Sequence, residues 1–263
     1  MTRDFFIFSE APEMGERIEA KEGVIMGETY KILDFTYRYG KSEQHVYPVV
    51  LLGERETVLI DCGYPGSLEM LELQLKRHNI RPESITALVL THQDDDHMGA
   101  AAEIKEAYPA IQVLASAKEE PYISGRRKNL RLRQAEELQE RLPDEEKALG
   151  AQFCERLRSV RAVTPDGVLS AGDQFDWGGG CEILDTPGHT LGHISIRSLN
   201  NEFMITGDAA VFADRALTIA NPEFCLDLEE AQKSLEKLIQ YQSCRYICYH
   251  GGVFQGVDGS RGP

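Results

Sequence analysis

The run Thr91-His92-Gln93-Asp94-Asp95-Asp96-His97 places two imidazoles and three carboxylates within six residues. Three consecutive acids between two histidines repel one another at neutral pH, and a divalent cation is the usual agent that makes such crowding favourable. The apolar stretch Ile85-Thr86-Ala87-Leu88-Val89-Leu90 just before it reads as a short buried strand, so the cluster sits at that strand's carboxyl end, where functional groups gather. Three more candidates share this placement: His189 in Thr186-Pro187-Gly188-His189, Asp208 in Thr206-Gly207-Asp208, and His250 in Tyr249-His250-Gly251-Gly252. Each follows a strand-like segment and borders glycine, which lets backbone approach a bound group closely. One such histidine alone is an ordinary core or surface residue; together with the cluster, they read as metal ligands.

The elements that must position these residues alternate along the chain. Short strands are expected at 24–26, 31–39, 46–52 and 57–61, broken by Gly27, Gly40 and Gly53. A helix over 67–79 carries Leu68, Leu71, Leu75 and Ile80 on one face, and a second begins at His97. After a strand at 111–115, the stretch 118–158 turns helical and highly charged, with Leu130, Leu138, Leu142 and Leu149 as apolar anchors. Pro143-Asp144-Glu145-Glu146 suits a helix start inside it, so two helices are expected as an inserted cap at about 118–158 of one domain spanning 1–263. Strands return at 160–163, 181–185, 194–198 and 202–206, followed by a helix over 228–242 and a strand at 246–249 that delivers His250. Two similar halves of strands and helices imply two packed sheets with helices outside.

Bulk properties exclude several classes. A net charge of −15 opposes a nucleic-acid surface, and the strongest basic run, Arg126, Arg127, Lys128, Arg131 and Arg133, is short. No apolar run approaches the roughly 20 residues of a membrane span, and the stretch after Met1-Thr2-Arg3-Asp4 is too short for a signal peptide, so a cytoplasmic location is expected. Six cysteines lie scattered without a Cys-x-x-Cys pair, which fits reduced thiols.

From Leu59-Ile60-Asp61-Cys62-Gly63 to His250 the chain resembles the metallo-β-lactamase fold superfamily. The resemblance implies an α/β (α+β) four-layer αββα sandwich of two mixed sheets, with a two-metal site in a cleft at one edge. Carried over residue by residue, it implies that His92, Asp94 and His189 hold one ion, that Asp96, His97 and His250 hold the second, and that Asp208 bridges them. Asp96 would also take the nucleophile's proton as the catalytic base. Asp61 would either orient the ligand loops or cap the next turn, His193 would orient the His189 loop, and Asp95 would be a spacer turned to solvent. The chain departs from the family pattern at Asp94, where a histidine is usual. A carboxylate is harder than imidazole, so zinc, the first expectation for the two divalent ions, gains manganese and iron as alternatives. It also adds negative charge: Asp94, Asp96, Asp208 and a hydroxide balance two divalent ions, where histidine would leave one positive charge.

The activity implied is hydrolysis of a small ester, lactone or thioester by metal-activated water, with a small-molecule substrate and neither nucleic acid nor membrane as partner. Valine at 211, where acyl-homoserine lactonases of this fold carry tyrosine, counts against a lactone. In the cap, Tyr122, Arg126 and Arg127 form a candidate substrate lid attracting an anionic substrate. The cap leucines either seal a homodimer or pack within the cap. The competing class is a ligand-binding or regulatory protein that keeps fold and metal with little turnover.

Overall fold

All four residues of Ala87–Leu90 are apolar and all four are buried, so this strand has to be covered on both faces. Leu88 and Leu90 pack with Leu71, Leu75, Ala101 and Ile104, whereas Ala87 and Val89 pack with Ile183, Ile194, Ile196 and Ile247. The period of two along one strand thus sends alternate side chains to a helix layer and to a second sheet.

The computed structural model describes residues 29–39 and 42–256. In chain order the elements are β1 (Tyr30–Ile32), β2 (Phe35–Tyr39), β3 (Ser42–Val46), β4 (Val49–Leu52), β5 (Thr57–Ile60), α1 (Leu68–Arg77), β6 (Ala87–Leu90), α2 (Asp95–Met98), α3 (Ala101–Ala107) and β7 (Gln112–Ser116). There follow α4 (Glu120–Ile123), α5 (Leu130–Gln139), α6 (Asp144–Ser159), β8 (Gly167–Leu169), β9 (Gln174–Phe175), β10 (Cys181–Asp185) and β11 (Ile194–Ser198). The chain continues with β12 (Met204–Gly207), β13 (Val211–Ala213), β14 (Ala216–Thr218), α7 (Leu228–Gln240), β15 (Arg245–Cys248) and β16 (Gly252–Gln255).

One sheet has the order β1-β4-β5-β6-β7-β8 and the other β16-β15-β12-β11-β10-β9. Both are mixed: β5 to β8 run parallel beside antiparallel β1 and β4, and in the second sheet, among the described residues, only β12 and β15 pair in parallel. Helix α7 buries Leu235 and Leu238 against Leu184, Met204, Tyr246 and Cys248 on the outer face of the second sheet. The result is the expected sandwich of two mixed sheets between helices. The carboxyl ends of β5, β6, β10, β12 and β15 lead directly into Asp61, the 91–97 run, His189, Asp208 and His250.

Local expectations fail where pairing overrides pattern. The strand expected at 24–26 lies outside the described residues. The one expected at 31–39 is split at Leu33-Asp34 into β1, which joins a sheet, and β2, which forms a separate hairpin with β3. Residues 160–163 are not a strand; the next strand to join β7, on the side away from β6, is β8, further along. Between β7 and β8 stand α4, α5 and α6, the last two packed through Ala135, Cys154 and Leu157. Among the described residues no helix is long and apolar enough to cross a membrane.

The His189 loop is pinned by close backbone approach to α7. Leu226 and Asp227 donate backbone N–H groups to the carbonyls of His189 and Gly188 at 3.1 and 2.9 Å, and Asp227 caps the helix by accepting from Glu230 N. Gly188 has φ +128°, and a Cβ there would lie 2.1 Å from Ala231 N. The Gly188→Ala variant is therefore expected to lose about 2–4 kcal/mol of stability, since both the backbone angle and the helix contact must give. Urea denaturation followed by circular dichroism reads this; a loss under about 0.5 kcal/mol would show that loop and helix part freely.

Candidate metal centre

Six of the seven expected ligands are buried, from His92 and His97 at 0% exposed to Asp96 at 8%, while the His250 side chain at 25% marks the open flank. They form three overlapping sets, His92–Asp94–His189, His92–His97–Asp208 and Asp96–His97–His250, whose donor atoms lie within 4.8 Å of one another in each set. His189 Nε2 is 3.1 Å and His92 Nε2 3.7 Å from Asp94 Oδ2. On the other side, His250 Nε2 is 3.0 Å and His97 Nε2 3.8 Å from Asp96 Oδ2. Asp208 stands between: its Oδ1 faces His97 Nε2 at 3.2 Å and His250 Nε2 at 3.5 Å, and its Oδ2 faces His189 Nε2 at 3.4 Å.

The donor set fits divalent ions. His92 Nε2, His97 Nε2, Asp94 Oδ1 and Asp208 Oδ1 are all buried without a hydrogen-bond partner. Leaving each such atom unsatisfied costs about 1–3 kcal/mol. Imidazole nitrogens mixed with carboxylate oxygens suit zinc, and equally manganese or iron.

Around this set a second group of side chains fixes ring orientation. Asp61 Oδ1 accepts Thr91 N at 2.9 Å, and its Oδ2 accepts Thr91 Oγ1 and His97 Nδ1, both at 2.8 Å. With the Thr91 hydroxyl hydrogen given to Asp61, Oγ1 accepts from His92 Nδ1 at 3.0 Å. Both imidazoles thereby turn Nε2 toward the site, the nitrogen through which each would bind an ion. Asp61 adopts φ 59°, an uncommon conformation for a side chain bearing a Cβ. His193, expected to orient the His189 loop, hydrogen-bonds Thr186 Oγ1 at the start of that loop through Nδ1 (2.8 Å) and also accepts Asp208 N at Nε2 (2.9 Å). Burial, with the neighbouring His92 and His189, pushes its pKa well below the usual imidazole range, consistent with a neutral ring that accepts.

Three positioning residues escape a reading of the sequence. Tyr249 stacks its ring 3.9 Å from that of His97 and donates its hydroxyl to Asp96 O at 2.5 Å; its adjacency to His250 was the available signal. Glu119 is fully buried, and its carboxylate accepts Gln93 N (3.1 Å), Gln93 Nε2 (3.0 Å) and Gly192 N (2.7 Å), joining the two ligand loops. Nothing local distinguishes it from the acids nearby. The third is Arg131, 4% exposed in its side chain, which donates from Nη2 and Nε to Asp94 Oδ2 at 2.6 and 3.1 Å. Its place in the basic run pointed to the cap, not to a ligand. Of the residues expected as a substrate lid, Arg126 turns its guanidinium to Glu120, Arg127 is exposed, and Tyr122 is half-buried.

Burial opposes ionisation of every carboxylate here, and the outcome differs with the partner. Arg131, together with His189 and His92, holds Asp94 well below the usual range; His97 and His250 do the same for Asp96, though less strongly, and for Asp208. In return Asp208 and Asp96 raise the pKa of His97 and His250 despite burial. Ions entering the site therefore displace protons from these two rings. Asp95 corrects an expectation: it is buried, 6% exposed, and its Oδ2 lies 2.9 Å from Arg156 Nε instead of facing solvent. Burial, opposed by Arg156 but reinforced by Asp96 and Asp94, lifts its pKa to about 6.

Comparison with known proteins places this geometry. The family model for the metallo-beta-lactamase superfamily matches residues 43–250. The probable metallo-hydrolase YflN of Bacillus subtilis is 27% identical, over 93% of this chain and 89% of that protein. The hydroxyacylglutathione hydrolase GloC of Haemophilus influenzae is 26% identical over 59% of this chain and 61% of its own length. Among solved structures, the family protein TTHA1429 of Thermus thermophilus superposes with TM-score 0.66 at 20% identity, covering 87% of this chain and 75% of that one. The archaeal ST1585 of Sulfolobus tokodaii gives 0.62 at 22%, covering 87% and 82%. At these identities the two structures establish a shared fold.

Asp95 sets a pH dependence whose sign follows from its raised pKa. The folded chain keeps the Asp95 proton up to about pH 6, while the unfolded chain releases it near the ordinary value of 3.8. Stability from this group is therefore present at low pH and lost as pH rises through that window. In metal-free protein, the unfolding free energy of wild type relative to Asp95→Asn should fall by up to about 3 kcal/mol between about pH 4 and about pH 7. Paired urea titrations measure it, and a difference that stays flat with pH would contradict the assignment.

Proposed function

Because the chain belongs to the metallo-beta-lactamase superfamily, we propose that it is a hydrolase using two divalent metal ions to cleave a small ester, lactone or thioester. The observation that carries this reading is the pair of outer donor sets linked by a third, His92–His97–Asp208, which together hold four buried, unpartnered donor atoms. His92, Asp94 and His189 would hold one ion, Asp96, His97 and His250 the other, and Asp208 would span both. Such ions supply Lewis acidity toward a carbonyl oxygen and activate water.

The chain's own residues do the rest. Asp96, with its pKa held down by His97 and His250, is ionised at neutral pH and takes up the nucleophile's proton at its carboxylate. His193 and Asp61 keep Asp208 and His97 aimed at the site, through hydrogen bonds of 2.9 and 2.8 Å. The His250 side, a quarter exposed, gives a substrate its approach, away from the flank closed by Arg131. Likeness to a hydroxyacylglutathione hydrolase supports a thioester within the substrate class.

The test is a panel of esters, lactones and thioesters assayed before and after chelation, with zinc, manganese or iron added back. Chelation, and separately the Asp208→Ala change, should each lower turnover by about a hundredfold or more, and readdition should restore only the chelated wild type. Full hydrolysis by metal-free protein or by Asp208→Ala would overturn the reading. Stoichiometric metal uptake with no turnover on any substrate would move the protein to the ligand-binding class.

A further inference from the structure

We propose that Arg131 makes the two ion positions unequal: its guanidinium competes with an ion for Asp94, so the Asp96–His97–His250 position fills first and the His92–Asp94–His189 position holds its ion more weakly. The inference rests on the metal reading above and concerns only how the two positions divide their affinity.

The guanidinium is in contact with two of the three donor groups of one set and is built in. Nη2 lies 2.6 Å from Asp94 Oδ2 and 3.3 Å from His189 Nε2. Nε adds a second bond to the same Asp94 oxygen at 3.1 Å. Nη1 is spent on Phe224 O at 2.7 Å and Gln134 Oε1 at 2.9 Å, and the guanidinium carbon sits 4.7 Å from the centre of the Phe224 ring. With its donors committed and its side chain buried, Arg131 has no freedom to swing toward a substrate. It acts as a resident cation for Asp94 and is a positioning residue.

A permanent positive charge touching one set lowers that set's affinity for a second cation, because both charges sit in a poorly solvated edge where Coulomb repulsion is strong. The Asp96, His97 and His250 side chains pair instead with Asp61, Asp208 and one another. In those pairs that set meets carboxylates and imidazoles, with no arginine or lysine among them. Arginine keeps its charge at any working pH, so the asymmetry is not removed by titrating the guanidinium.

Metal-free, full-length protein is titrated with cobalt(II), followed by its visible absorption, and with zinc by calorimetry. Wild type should take up two ions in two resolved steps, and Asp96→Asn should remove the tighter one. Arg131→Gln should tighten the weaker step about tenfold or more and leave the tighter step within about twofold; Arg131→Lys, which keeps a cation, should stay near wild type. Circular dichroism checks folding. Should Arg131→Gln not fold, the wild-type steps and their assignment through Asp96→Asn decide the matter. Uptake of two ions in a single step, loss of the weaker step in Asp96→Asn, or an Arg131→Gln curve equal to or weaker than wild type overturns the inference while leaving a dinuclear site intact. Absence of any uptake overturns the metal reading and this inference with it.

Discussion

Three successive carboxylates, Asp94, Asp95 and Asp96, are buried within one turn of chain, and the surrounding structure is organised by the need to give each its own positive partner. Asp94 meets Arg131, Asp95 meets Arg156, and Asp96 meets His97 and His250. The turn itself makes this separation. His97 and Met98 donate to the carbonyl of Asp94 as α2 begins at Asp95, so the side chains fan out around a helix start. An extended strand would have put Asp94 and Asp96 on one face and left them to repel each other. Removing a single partner from such a turn would strand a buried charge, which typically costs about 3–5 kcal/mol. The helices α5 and α6, which supply Arg131 and Arg156, are thus tied electrostatically to the loop they cover.

A second constraint is that candidate ligands from four strand ends must hold still relative to one another. Backbone-directed carboxylates do much of this. Asp61 fastens the 91–97 loop at the end of the first sheet, and Glu119 bridges that loop to Gly192 in the second. Gln93 extends the bridge to the start of α5 by accepting Leu130 N at 2.8 Å. Two sheets packed through apolar side chains are thereby also registered by polar contacts at the edge that carries the candidate site.

The layers, and the gathering of the candidate ligands at one edge, were legible in the sequence for one reason: each signal is local. Period-two runs such as Leu88 and Leu90 against Ala87 and Val89 mark a doubly covered strand, and a polar residue beside glycine just after such a run marks an edge position. What was not legible depends on contacts between distant segments. Arg131 meets Asp94 across 37 positions, and Glu119 meets Gly192 across 73. Composition shows a basic run and an acidic helix start there, with no sign of which member turns inward. The same blindness explains Asp95, whose neighbours suggested a spacer, and residues 160–163, whose apolar pattern serves packing against a core without any strand partner.

Arg131 also alters what an aspartate at position 94 means. From the sequence, the carboxylate in place of histidine brings two changes at once: a harder donor and an extra negative charge. The structure separates them. The guanidinium bound to Asp94 Oδ2 supplies one positive charge beside the extra negative one, returning the local charge to what a neutral histidine would leave. The oxygen donor remains, with Asp94 Oδ1 buried and unpartnered beside His92 and His189. A preference for manganese or iron over zinc would therefore have to come from donor hardness alone, since the charge that would have reinforced it is already neutralised within the protein. Charge and donor type, normally changed together by one substitution, are set at this position by two residues on different elements.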